Sequence, residues 1–249
     1  MEILDWQGRP VEAARTPTGV LAVVDYADNL IRVPGKPWPS AAVVQKLYKG
    51  RHTGAYAEKV PELTTKLGYY SDLQSLHSED ALTWSFFGPL TYQAPAEQAA
   101  FLNWLLERLE LEADNSLCEV GLFRRIPHPD KQSMGGPEND FAIIGDRCVV
   151  LGEAKWRSPV GTRQGVNKDS DQISLRLQFL SQRGRRIFGD RRFVVLGMWR
   201  SLDDAIPAEA PEGVRYASLT WADLCEYERH PLASEFRAYL AWKDKHSHG

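Results

Sequence analysis

The chain has 249 residues, of which 43% are hydrophobic and 25% are charged, and its net charge is −3. This length allows one large domain, or one domain with a smaller appendage, to bury a core without disulfides or structural metal. No apolar run approaches the roughly 18 residues that a membrane-spanning helix needs. The N-terminus lacks the apolar core of a secretion signal, and the three cysteines are widely spaced without a CxxC pair. We therefore expect a cytoplasmic protein with reduced thiols that does not bind membranes.

The first seventy residues show little regular pattern. A short strand is predicted over 20–24, Ser40 can cap a helix over 41–48, and a further short helix is predicted near 61–66. We treat residues 1–70 as a region of unknown role. Residues 71–249 are predicted to form the domain that carries the function.

From residue 71 the hydrophobic pattern becomes regular. Ser78 can cap a helix that has two acids in its first turn, and Gly88-Pro89 is expected to end it. The elements predicted after it are a helix over 96–111, strands over 117–123, 141–144 and 148–151, a helix over 171–186, strands over 193–199 and 215–219, and a helix from Trp221. This order predicts an α/β fold, a three-layer sandwich with a mixed central sheet.

The second and third predicted strands form a hairpin that carries charged residues. A two-residue loop at Asp146-Arg147 sets Asp140 directly opposite Glu153, whereas a loop at Gly145-Asp146 shifts the register by two. In either register both carboxylates lie on one face of the hairpin. Lys155 projects from the same face because it lies two residues beyond Glu153.

Two opposed carboxylates are unusual in a purely structural hairpin, because like charges repel and partly buried acids lose hydration. A divalent cation removes both penalties. Hard oxygen ligands suit Mg²⁺, for which Mn²⁺ can substitute. Lys155 could then orient or deprotonate an attacking water, or offset negative charge in a phosphoryl transition state.

This pattern resembles the signature of the PD-(D/E)XK, or restriction-endonuclease-like, superfamily, in which an aspartate is followed by Glu-x-Lys at the end of the next strand. In this chain the motif consists of Asn139-Asp140 and Glu153-Ala154-Lys155, so Asn139 stands where the family usually has proline. The order of elements from about 78 to 227 also resembles the family. The resemblance implies a restriction-endonuclease-like core that hydrolyses nucleic-acid phosphodiesters with the help of a metal ion.

The resemblance assigns roles to individual residues. It implies that Asp140, Glu153 and the carbonyl of Ala154 bind Mg²⁺ and that Lys155 acts on the nucleophilic water. Family members carry a further acid on the helix before the sheet, and Glu79 is the matching candidate for metal binding and catalysis.

The resemblance also implies contacts with the substrate. In the family, a polar pair on the helix after Glu-x-Lys approaches the site or the nucleic acid, and Gln172 and Arg176 match this pair. Residues 124–200 are basic and the rest of the chain is acidic, which is compatible with phosphate binding at one face. We predict that Arg157, Lys168 and Arg176 contact nucleic acid, with DNA favoured over RNA, and that Gln172 contributes to catalysis.

Three other interpretations stay open from the sequence. The chain could be a catalytically inactive module that binds nucleic acid or a protein partner on the same fold. It could also be a gated effector of a bacterial defence or toxin system, or a plain α/β interaction domain in which the triplet is a coincidence. A homodimer would be needed to cut both strands at one site, and residues 1–70 could bind a regulatory partner.

Overall fold

A computed structural model describes residues 1–53, 58–114, 117–127, 135–157 and 171–247. The chain divides into two compact units: the first is Met1–Pro89 with Leu232–Gly249, and the second is Leu90–Pro231. The first unit thus joins both ends of the chain, a grouping that the hydrophobic pattern did not indicate. Within the described ranges, no helix combines the length and the apolar character that a membrane span requires.

The secondary structure alternates between short strands, longer strands and helices. The strands are β1 (Glu2–Leu4), β2 (Pro10–Arg15), β3 (Leu21–Val23), β4 (Arg51–His52), β5 (Tyr70–Ser71), β6 (Glu119–Pro127), β7 (Gly135–Ile144), β8 (Cys148–Ala154), β9 (Arg192–Trp199) and β10 (Val214–Thr220). The helices are α1 (Ala41–Lys49), α2 (Glu79–Thr91), α3 (Pro95–Arg108), α4 (Gln172–Phe179), α5 (Arg185–Phe188), α6 (Trp221–Leu224) and α7 (Ala233–His246). A π-helical turn, Leu180–Gly184, joins α4 to α5.

In the first unit, β1, β2 and β3 form an antiparallel sheet, and β4 pairs with β5. Helix α2 begins as predicted, since the Ser78 hydroxyl accepts a hydrogen bond from Ala81 N at 3.1 Å. The expectation that Gly88-Pro89 ends this helix is wrong, because α2 continues through Pro89. All residues from 81 to 89 are buried. Packing on every side of the helix therefore outweighs the backbone hydrogen bond that proline cannot donate.

Helix α7 was not expected from the sequence, and it buries a lysine. The Lys243 side chain is fully buried, its ammonium donates to Ser78 O at 3.1 Å, and it lies 3.5 Å from Asn29 Oδ1. Among the described residues, no charged neighbour contributes to the shift of its pKa. Burial without a counter-charge lowers the pKa of Lys243 to about 7.

The second unit is built on a mixed five-stranded sheet with the strand order β10-β9-β8-β7-β6. Neighbours among β6, β7 and β8 are antiparallel, whereas β8, β9 and β10 are parallel. Every residue of β8 is buried, and so is every residue of β9 after Arg192. Such uniform burial is typical of central strands whose two faces are both covered. The predicted mixed α/β class is therefore confirmed.

Helix α4 packs on this sheet through apolar residues at helical spacing. Ile173, Leu177 and Leu180 form a buried cluster with sheet residues that include Leu151 and Val195. The helical segment extends to 188 rather than 186, with the π-helical turn inside it.

Strand β7 begins earlier than predicted. The strand was predicted to begin at 141, but Gly135 already pairs with Pro127 of β6, and Gly135-Gly136 belongs to the strand. Glycine has low intrinsic strand preference, so pairing with the neighbouring strand decides the conformation here. The sequence alone carries no signal for that pairing.

A glycine and an aromatic ring fit together in the β7–β8 ladder. Phe141 pairs with Gly152, and a Cβ atom added at Gly152 would lie 2.2 Å from Phe141 Cε1. Phe141 is itself fully buried. Its ring therefore occupies the space that a side chain at position 152 would need.

Replacing this glycine should strain the hairpin. Gly152→Ala is predicted to lower the free energy of unfolding by about 1–3 kcal/mol, because the buried ring has no room to move away. The matched control is Gly121→Ala in the edge strand β6, where the nearest atom, Arg124 Nε, would lie 3.4 Å from the new Cβ. Chemical denaturation should show little change for the control. Equal losses in the two variants would contradict the prediction.

The buried lysine predicts a pH-dependent stability. The unfolded chain holds the Lys243 proton up to about pH 10.5, whereas the folded chain releases it near 7, so stability falls as the pH falls from 10.5 to 7. Lys243→Met lacks this loss and should be more stable by roughly 1–3 kcal/mol at neutral pH. Denaturation at about pH 7 and about pH 9.5 tests this, because the advantage of the variant should shrink at the higher pH. An advantage that grows with pH would contradict it.

Candidate functional site

The β7–β8 hairpin brings the two predicted carboxylates together. Its register pairs Phe141 with Gly152. Extended by one residue, the same register sets Asp140 opposite Glu153, with Asp146-Arg147 in the turn. The first of the two registers considered from the sequence is therefore confirmed.

Asp140 is half-buried, and its carboxylate is oriented by the neighbouring strand. Its Oδ2 accepts a hydrogen bond from Ala154 N at 2.7 Å. Ala154 is fully buried and ends β8. The bond therefore holds the aspartate beside the carboxyl end of β8, where the Glu-x-Lys motif lies.

Glu153 is a buried carboxylate between two cations. It is 1% exposed, and its oxygens lie 2.7 Å from Lys155 Nζ and 2.5 Å from Arg176 Nη2. Charge-assisted contacts with these two cations hold the carboxylate. Burial raises the pKa of Glu153, Arg176 opposes that shift, the charge of Asp140 adds to it, and Lys155 opposes it.

Lys155 has a fixed backbone and a partly open side chain. Its N donates to Met198 O at 2.7 Å, and Trp221 Nε1 donates to its carbonyl at 2.9 Å. Its ammonium donates to Gln172 Oε1 at 3.3 Å. The side chain is 17% exposed, compared with 1% for Glu153. Lys155 is therefore the cation of this cluster that is open to an incoming group.

Arg176 occupies the interior of the site. It is fully buried, and it donates through Nε to Asn139 Oδ1 at 2.8 Å, through Nη1 to Gln172 O at 2.7 Å and through Nη2 to Glu138 O at 2.5 Å. The contact with nucleic acid predicted for Arg176 fits this position poorly, because the guanidinium is enclosed and engaged by protein groups. The sequence did identify the correct helix face, since Gln172 and Arg176 both reach the cluster.

The remaining predicted residues lie at different places. Arg157 is half-buried and lies two residues beyond Lys155, just after β8. Glu79 opens α2 in the first unit. Lys168 lies outside the described residues. The roles predicted for Arg157 and Glu79 stay predictions.

Two arginines of the basic segment lie away from the carboxylate cluster. Arg191 Nε donates to Asp146 O at 3.0 Å, at the turn of the hairpin, and Arg192 Nη2 donates to Glu112 O at 2.6 Å. This turn lies at the opposite end of β8 from Glu153. The arginines near it therefore serve loop structure rather than the carboxylate cluster.

The cluster offers two carboxylates, the number that a hard divalent cation can accept from a protein. Mg²⁺ needs only one or two protein carboxylates, because waters and substrate phosphate complete its shell. Asp140 and Glu153 provide two, and the oxygens of Glu153 are paired with Lys155 and Arg176. No group of three or more Asp, Glu, His or Cys side chains converges as metal ligands within the described ranges. The available set is therefore these two carboxylates with the adjacent carbonyl of Ala154.

Two further observations bear on the assignment. A surface cavity of about 660 Å³ in the second unit is lined by residues that include Trp104 and Tyr227, and none of its lining residues belongs to the cluster.

Comparisons with protein-family models, with curated proteins and with solved structures found no match to the chain. The functional interpretation therefore depends on the chemistry of the cluster itself.

Proposed function

We propose that the chain is a metal-dependent nuclease that hydrolyses phosphodiester bonds of nucleic acid, with DNA favoured over RNA. The observation that carries the proposal is the convergence of Asp140, Glu153 and Lys155 at one end of the β7–β8 hairpin. A buried acid beside a second acid is expensive to maintain for structure alone. Binding of a metal ion that acts on phosphate would explain why the two acids lie together.

The strand topology supports the same proposal. An antiparallel hairpin leads through α4 into a parallel strand, with α3 before the sheet. This is the order expected of a three-layer, restriction-endonuclease-like core. It places the amino end of α4, with Gln172, beside the carboxyl end of β8, where Lys155 follows.

The proposed roles follow from position and chemistry. Asp140, Glu153 and the carbonyl of Ala154 would hold Mg²⁺ or Mn²⁺. The metal, when bound, supplies Lewis-acid polarisation of the phosphate and a more acidic water. Lys155, oriented by Gln172, positions that water or neutralises charge that develops on the phosphoryl group.

The wider setting belongs to the proposal as well. All three cysteines are free thiols, which agrees with a reducing compartment such as the cytoplasm. A homodimer would present two centres to the two strands of a duplex. Arg157 and Lys168 would contact the backbone of the nucleic acid, and residues 1–70 would bind a regulatory partner.

Cleavage assays on plasmid and single-stranded DNA test the proposal. Mg²⁺ or Mn²⁺ should support cleavage and EDTA should stop it. Asp140→Ala and Lys155→Ala should each reduce the rate by at least about a hundred-fold, because the first removes a proposed metal ligand and the second removes a charge beside the reacting phosphate. The matched control is Asp146→Ala, which removes an exposed aspartate from the turn of the same hairpin and should cleave like the wild type.

The possible outcomes separate the alternatives. Near-wild-type cleavage by either site variant would contradict the assignment of these residues. DNA binding that is equal with and without chelator, with no products, would indicate an inactive module. Metal binding without cleavage would indicate a gated effector or a different nucleic acid.

A further inference from the structure

We propose that Arg176 is a positioning residue that holds the Glu153 carboxylate in place, and that Asn139 in turn anchors Arg176. This inference rests on the proposed function, since the position of Glu153 matters for chemistry only if that carboxylate holds a cation. It gives Arg176 an internal role in place of the contact with nucleic acid predicted from the sequence.

The guanidinium of Arg176 contacts groups on two strands and one helix. Each of its three nitrogens is engaged: Nε by Asn139 Oδ1, Nη1 by Gln172 O, and Nη2 by Glu138 O together with the Glu153 carboxylate. These partners belong to β7, α4 and β8. A single planar group therefore fixes the relative positions of two strands and a helix around one carboxylate.

The pair formed by Arg176 and Glu153 is shielded from solvent. Arg176 is fully buried and Glu153 is 1% exposed, so neither can exchange its partner for water. A carboxylate in this position without a counter-charge would lose its ionised form or its location. Arg176 is also too enclosed to reach a phosphate on a bound duplex.

The two cations beside Glu153 are not equivalent. The Lys155 side chain is 17% exposed and has a flexible stem, so its ammonium can contact a reacting water. Arg176 has no exposed surface, and its planar guanidinium fixes the orientation of the Glu153 carboxylate. Arg176 therefore keeps Glu153 in place while Lys155 acts on the substrate.

Asn139 links Arg176 to the neighbouring strand. It is 1% exposed, accepts from Arg176 Nε at 2.8 Å and donates to Arg124 O of β6 at 3.3 Å. A proline at this position has no side-chain group that could do either. The residue immediately before the proposed metal ligand Asp140 is thus tied to the arginine that holds the other ligand.

The test compares variants that keep the charge of the site. Arg176→Lys retains a positive charge but loses the planar fork, and Asn139→Ala removes only the anchor. Both should weaken Mn²⁺ binding by roughly ten-fold to a hundred-fold, the usual effect of losing a group that orients a metal ligand. Electron paramagnetic resonance of free Mn²⁺ measures this without turnover. Arg125→Lys, an exposed arginine on β6, is the control and should bind like the wild type.

Cleavage kinetics add a second readout. A positioning role predicts that both variants lose kcat while KM for DNA stays near the wild-type value. A phosphate contact predicts the reverse: a raised KM, a shallower salt dependence and unchanged Mn²⁺ affinity. Thermal melts establish that each variant is folded. Asn139→Ala keeps the proposal testable if Arg176→Lys does not fold.

The outcomes distinguish this inference from the proposed function. If the wild type binds Mn²⁺ and cleaves, and both variants match it, the positioning role is wrong and the nuclease assignment stands. If the wild type neither binds Mn²⁺ nor cleaves any nucleic acid, the proposed function fails and the inference falls with it. Weaker Mn²⁺ binding in both variants, with the control unchanged, supports the inference.

Discussion

The buried carboxylate of Glu153 is the constraint on which the arrangement of the site depends. A group that is 1% exposed needs counter-charges that the fold itself delivers. Lys155 directly follows β8, the strand that contains Glu153. Arg176 lies on α4, which packs beside Glu153 because the chain crosses back over the sheet after β8. The crossover between the parallel strands β8 and β9 contains α4. The strand topology of the second unit therefore brings Arg176 to Glu153.

The site then separates a closed side from an open side. Asn139 and Arg176 are enclosed and hold fixed positions, whereas Asp140 and Lys155 keep some contact with solvent. A preorganised interior with an accessible carboxylate and amine suits chemistry on a bound phosphate, because little reorganisation is needed when charge develops. The hydrogen bond from Ala154 N to the aspartate links these two sides through the end of β8.

The sequence predicted those features that depend on local spacing, and it missed those that depend on distant packing. Alternation and a short turn were enough to place Asp140 and Glu153 on one face of the hairpin, but they left two registers open, between which the strand pairing decides. The spacing of Gln172 and Arg176 identified the inner face of α4 but not how deeply the arginine is buried. Helix α7 depends on contacts such as that between Lys243 and Ser78, which lie 165 residues apart. No local pattern encodes such a contact.

The most direct test of the account is the location of a bound metal. A crystal grown with Mn²⁺ and a non-cleavable DNA duplex would show the ion by its anomalous scattering. The account predicts a peak about 2–2.4 Å from oxygens of both Asp140 and Glu153, with DNA phosphate in its open positions. A peak elsewhere in the chain, or bound DNA with no ion between Asp140 and Glu153, would contradict the central claim.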